Sequence, residues 1–93
     1  DYELETGNLI VETFRSHQLD PEEIPMVLVA GHGPFTWGAS AAKSVYHGAV
    51  LEEICKMAYL TGVLSPEVTG LPAYIVQKHY DRKHGVNAYY GQR

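Results

Sequence analysis

Apolar positions along the chain fall into short periodic runs separated by breakers. In TGNLIVETFRS, Leu9, Ile10, Thr13 and Phe14 share one helical stripe, which predicts a helix from Thr6, in the N-cap position, to about Ser16. DPEEIP predicts a one-turn connector: Asp20 caps it, Pro21 suits its first position, Glu23 completes an Asp-x-x-Glu box and Pro25 stops it. Met26 to Ala30 is a compact β-favouring run and Phe35-Thr36-Trp37 a second, so two strands are predicted, bent around Gly31, His32, Gly33 and Pro34.

Ser40 then caps a long helix ending near Gly62, with Ala42, Val45, Tyr46, Ala49, Val50, Ile54, Met57 and Ala58 at the 3/4 spacing of a core-facing stripe. Lys43, Glu52, Glu53 and Lys56 fall largely on its other side. After the breaker-rich SPEVTGLP, Pro72 opens a last helix through about His84, with Ile75, Val76, His79 and Tyr80 on one stripe and Gly85 beyond its end. The tail VNAYYGQR is too aromatic for a plain solvated end. This inventory has a defect, because a two-stranded unit is marginal alone and normally belongs to a larger sheet. Further strands are therefore expected from sequence outside this chain or from partner chains.

Composition narrows the partners. The 93 residues suffice for one small domain with a modest core. A hydrophobic content of 45% with 19% charged residues is ordinary for a globular protein. The net charge of −4 argues against a nucleic acid or an anionic membrane as main partner, although Lys78, Arg82, Lys83 and Arg93 crowd the C-terminal end. No apolar run reaches the roughly 18 residues a membrane span needs. A single cysteine, Cys55, excludes an internal disulfide and a multi-cysteine zinc site, and fits a reducing, cytoplasmic setting. The opening DYELETGN lacks Met and any secretory pattern, so a processed or truncated piece is expected.

His32, between two glycines at a strand end, is the most suggestive side chain. Neutral imidazole is the commonest metal ligand and the glycines allow close backbone approach. Catalytic zinc takes three protein ligands, however, and the chain has no HxH, HExxH or cysteine set to complete the shell, so structural and ligand roles both stay open on spacing alone. His47 is expected to be a surface or interface residue, and His17 to sit at a helix end, where the dipole favours it. His79 and Arg82, spaced i and i+3, could share a phosphate or carboxylate, or form a solvated basic face. Tyr89 and Tyr90 are candidate tail anchors, and a phenol works in acid–base chemistry only near a metal or cation. Cys55 is expected to be a small core residue. Nucleotide-binding and acyl-transfer motifs are absent.

The segment AGHGPFTWG, the helix AVLEEICKMAY and above all the ending KHYDRKHGVNAYYGQ resemble the C-terminal part of the L-ribulose-5-phosphate 4-epimerases, a family within the class II aldolase and adducin superfamily. The resemblance runs from about Tyr2 to Gln92; HGPF-x-WG alone would indicate only the superfamily. It implies an α/β/α fold around a mostly antiparallel central sheet, assembled as a homotetramer with active sites at subunit interfaces and one zinc ion per subunit. By the same resemblance His32 matches the third zinc-binding histidine and Tyr90 the catalytic tyrosine, which reaches into a neighbouring subunit's site; His79 and Arg82 would line that interface against the phosphorylated pentulose substrate.

The implied reaction is cleavage and re-formation of the C3–C4 bond, interconverting L-ribulose 5-phosphate and D-xylulose 5-phosphate. The chain departs from the family pattern by lacking its upstream half, with the HxH zinc pair, the phosphate-binding loops and the acidic partner of the tyrosine. Residues 1–93 are thus expected to be the C-terminal segment of an enzyme about twice as long, inactive by itself. Two rivals remain: a sugar-phosphate aldolase of the same superfamily, which releases the aldehyde, and a non-catalytic adducin-like assembly module. Among pentose pathways the DPEEIP region favours L-arabinose catabolism over L-ascorbate or L-xylulose use.

Overall fold

A computed structural model describes residues 1–88. It contains helix α1 (Tyr2–Ser16), strands β1 (Met26–Val29) and β2 (Gly33–Thr36), and helices α2 (Ala41–Leu64) and α3 (Ala73–His84). The chain divides into two compact units, the first Asp1–Leu60 and the second from Thr61 onward. Three helices and one antiparallel hairpin are the architecture of the described residues.

In the first unit, α1 begins earlier than its sequence pattern predicts. Thr6 is not its N-cap but lies inside the helix, where its Oγ1 donates to the Tyr2 carbonyl at 2.9 Å. Asp1 holds the cap position, and Glu3 and Glu5 in the first turn complement the helix dipole. Those charges carry the helix back past Gly7, which costs about 1 kcal/mol relative to alanine. Phe14 is the helix's buried residue, whereas Leu9 on the predicted stripe is exposed. The C-terminus is closed by paired bonds: Leu19 N–H donates to Phe14 O at 2.8 Å and Gln18 N–H to Arg15 O at 3.1 Å. This is the Schellman arrangement, and it places Gln18 at φ 54° in the left-handed region usually taken by glycine. His17 Nδ1 lies 3.0 Å from Thr13 O, so His17 serves the helix end as expected.

The DPEEIP connector forms the expected turn. Asp20 Oδ1 accepts Glu22 N–H at 2.8 Å, and Asp20 O accepts the N–H groups of Glu23 and Ile24. Among the described residues the return bond from Glu23 is not made, so the capping box is half built.

The hairpin register pairs Met26 with Thr36, Val27 with Phe35, Leu28 with Pro34 and Val29 with Gly33. The second strand thus lies two residues upstream of the predicted Phe35-Thr36 start and excludes Trp37. A three-residue loop, Ala30 to His32, brings Gly33 into the ladder at once. Trp37 N–H still donates to Pro25 O at 3.1 Å just outside it. Counting back from that bond by the antiparallel alternation, Leu28 and Pro34 form a non-hydrogen-bonded pair, so the missing proline N–H faces away from the partner strand.

Ser40 caps α2 as predicted, its Oγ accepting Lys43 N–H at 3.1 Å. The helix runs past Gly62 to Leu64. Its inward stripe is not the predicted one: Leu51 is buried and Ser44, His47, Gly48 and Cys55 are half-buried, at spacing of three and four residues. The predicted apolar stripe is largely exposed, with Val45 at 74% and Met57 at 58%. Apolar residues surround the helix, so periodicity does not choose a face; the polar bonds of Ser44 and His47 to β2 and Trp37 choose it. Cys55 is half-buried, on the inward side as expected.

In the second unit, α3 starts at Ala73 with Pro72 at the cap position, Pro72 O accepting from Ile75 and Val76. Gly85 ends it, its N–H donating to Asp81 O at 2.9 Å. Ile75 and Tyr80 are half-buried, whereas Val76 and His79 of the predicted stripe are exposed. Among the described residues only Phe14 and Leu51 are buried, each 8% exposed, so apolar side chains on every helix remain uncovered.

Candidate metal-ligand site at the hairpin tip

His32 closes the turn between β1 and β2. Its N–H donates to Val29 O at 3.0 Å across Ala30 and Gly31. Gly31, at φ 72°, takes the positive φ that the third position of a type II turn demands, and Gly33 follows at φ 127°. Both glycines of the GHG sequence are therefore conformational requirements, and the histidine between them is carried out on an exposed tip.

Two rings lie against the imidazole. Tyr2, at the start of α1, stacks on it with centroids 5.5 Å apart and planes 12° from parallel. Phe35 meets it at 5.1 Å and 45°. Among the described residues the imidazole makes these two ring contacts and neither of its nitrogens takes part in a hydrogen bond, which leaves both open.

The base of the hairpin is fastened to α2. Thr36 Oγ1 donates to Ser44 O at 3.0 Å while Ser44 Oγ donates to Thr36 O at 3.1 Å. One turn further on, His47 Nδ1 lies 2.6 Å from Trp37 O. A carbonyl only accepts, so Nδ1 carries the hydrogen and Nε2 of the neutral ring is the acceptor. His47, expected to be a surface or interface residue, is thus a half-buried fastener of this corner. Trp37 is the hub of this corner: its Nε1–H donates to Pro21 O at 2.8 Å and its ring tilts against Phe14 at 5.6 Å. Beside it an apolar cavity of about 350 Å³ is lined by Phe14, Leu19 and Trp37, with Arg15 as its charged member. The chain turns tightly into α2 at Gly38, where a Cβ would lie 2.9 Å from Lys43 Cβ.

The other expected site residues lie in the second unit. Arg82 lines a cavity of about 580 Å³ along α3 with Lys78, Asp81 and Asn87, and Gln77 Nε2 donates to Asp81 Oδ1 there at 2.9 Å. His79 is exposed and is not among the residues that line that cavity. Tyr89 and Tyr90 lie outside the described residues. Sequence reasoning missed Tyr2, thirty positions from His32 with no local pattern linking them, whereas Lys78 and Arg82, both in the basic cluster read from the sequence, line one cavity.

Residues 1–59 match the family model described as Class II Aldolase and Adducin N-terminal domain, and the chain belongs to that family. The matched stretch carries α1, the hairpin with His32 and most of α2; the AYYGQ ending lies beyond it. Class II aldolases are typically zinc-dependent. His32 fits one donor position of such a centre, being exposed with open ring nitrogens. Among the described residues no group of three or more His, Cys, Asp or Glu could hold a metal ion. The residues present therefore suit a single ligand, not a whole shell. No helix among the described residues is long and apolar enough to cross a membrane.

Proposed function

We propose that this chain is the C-terminal segment of a zinc-dependent L-ribulose 5-phosphate 4-epimerase of the class II aldolase family, serving L-arabinose catabolism in the cytoplasm. The observation that carries the proposal is the presentation of His32: a lone imidazole on a glycine-framed tip, with its nitrogens open, one ring stacked on it and a second tilted against it. An α/β/α domain with a mostly antiparallel central sheet would extend the two-stranded hairpin, and upstream sequence would bring the remaining zinc ligands. The uncovered apolar stripe of α2 supports burial in a larger assembly, here a homotetramer with active sites between subunits.

In this reading His32 donates one ring nitrogen to the divalent cation, which would supply Lewis-acid stabilisation of the negative charge developed when the C3–C4 bond breaks. Tyr90 exchanges a proton with the C4 oxygen, and Arg82, with His79, faces the phosphorylated pentulose. The segment alone is inactive. The test is product analysis of the complete protein with L-ribulose 5-phosphate. Accumulation of D-xylulose 5-phosphate, abolished by Tyr90→Phe, supports the epimerase. Release of free glycolaldehyde phosphate indicates the aldolase instead, and a protein without either activity or zinc indicates an adducin-like assembly module.

A further inference from the structure

We infer that Tyr2 is a positioning residue for the zinc centre, holding the plane of the His32 imidazole; the inference rests on the proposal that His32 is a ligand. Tyr2 is 63% exposed and contributes to no buried face, yet its ring lies 12° from parallel to the imidazole at 5.5 Å. A metal bound to imidazole lies along a nitrogen lone pair, in the ring plane. Fixing that plane therefore fixes the direction in which the nitrogen points.

Phe35 alone does not do this. It sits on the same hairpin and meets the imidazole at 45°, so it moves with the tip, whereas Tyr2 comes from α1 and references the ring to the body of the unit. The stack acts in two ways. It restricts rotamers of an exposed side chain before the metal arrives, which lowers the ordering cost of binding. It also strengthens on ligation, because a metal-bound imidazole carries partial positive charge against the negative face of the phenol. Neither effect uses the hydroxyl.

The test compares zinc affinity, by competition with a chromogenic chelator, across variants of the complete protein, with the thermal unfolding midpoint measured alongside. Tyr2→Leu is expected to weaken zinc binding about two- to ten-fold, the range of a single aromatic pair, while Tyr2→Phe binds as tightly as the parent. The midpoint of the metal-free form is expected to stay unchanged in both, as befits an exposed residue. The ring protons of His32, shifted by the stacked ring, are expected to return toward ordinary histidine values in Tyr2→Leu only. Unchanged zinc affinity in Tyr2→Leu, with His32→Ala losing zinc, overturns the inference and leaves the ligand assignment standing. Tyr2→Phe as weak as Tyr2→Leu also overturns it. Full zinc affinity in His32→Ala removes the underlying assignment itself.

Discussion

Replacing His47 with alanine tests whether polar fastening, rather than apolar packing, chooses the face of α2. The substitution deletes the Nδ1–H donor that lies 2.6 Å from Trp37 O. A made hydrogen bond contributes about 0.5–1.5 kcal/mol net, and a buried acceptor left without a donor costs about 1–3 kcal/mol. Trp37 and His47 are half-buried, so water partly replaces the donor, and a loss of about 1–2 kcal/mol follows. For a domain of this size that lowers the thermal midpoint by roughly 4–15 °C. Denaturant titration followed by Trp37 fluorescence is the assay, since the indole reports on the corner directly. Ser44→Ala removes the neighbouring bond to Thr36 O. Because both bonds hold the same chain segment, the double variant is expected to depart from additivity by about 0.5 kcal/mol or more. His47→Ala within about 0.3 kcal/mol of the parent, with strict additivity, would refute the fastening argument.

Two further substitutions probe the backbone. Gln18→Gly is expected to stabilise the protein by about 0.5–1 kcal/mol, because a left-handed residue with a side chain costs about 1–2 kcal/mol and part of the gain is offset by glycine's freedom in the unfolded chain; equal or lower stability in denaturant titration sinks it. Gly38→Ala is expected to destabilise by about 1–3 kcal/mol, since its Cβ would meet Lys43 Cβ at 2.9 Å and the backbone of Lys43 and Ser44 at 3.1 Å; a neutral result shows that the turn has room.

Much of the local structure was legible in the residues. Ser40 announced its helix, Asp20 its turn, and the glycines around His32 their hairpin, because each acts through its own backbone or its near neighbours. What escaped reading depends on groups distant in sequence or on equal alternatives. Nothing marks Gln18 as the left-handed residue of a helix end, since glycine is the usual sign. The inward stripe of α2 could not be chosen from periodicity while apolar residues lay on all sides. The start of β2 followed from register with β1, not from β propensity, which favoured Phe35 and Trp37 over Gly33 and Pro34. Of the candidate site, the hairpin histidine was visible from GHG alone, whereas the ring stacked on it belongs to a helix thirty residues away.

The membership of residues 1–59 in the class II aldolase and adducin family and the exposed imidazole of His32 support the central proposal, that this histidine is a zinc ligand. Metal analysis of the complete protein and its His32→Ala variant tests that claim most directly. A single zinc ion per subunit in the parent, lost in His32→Ala without loss of folded structure, is the predicted result; a parent without zinc, or a variant that keeps it, contradicts the account.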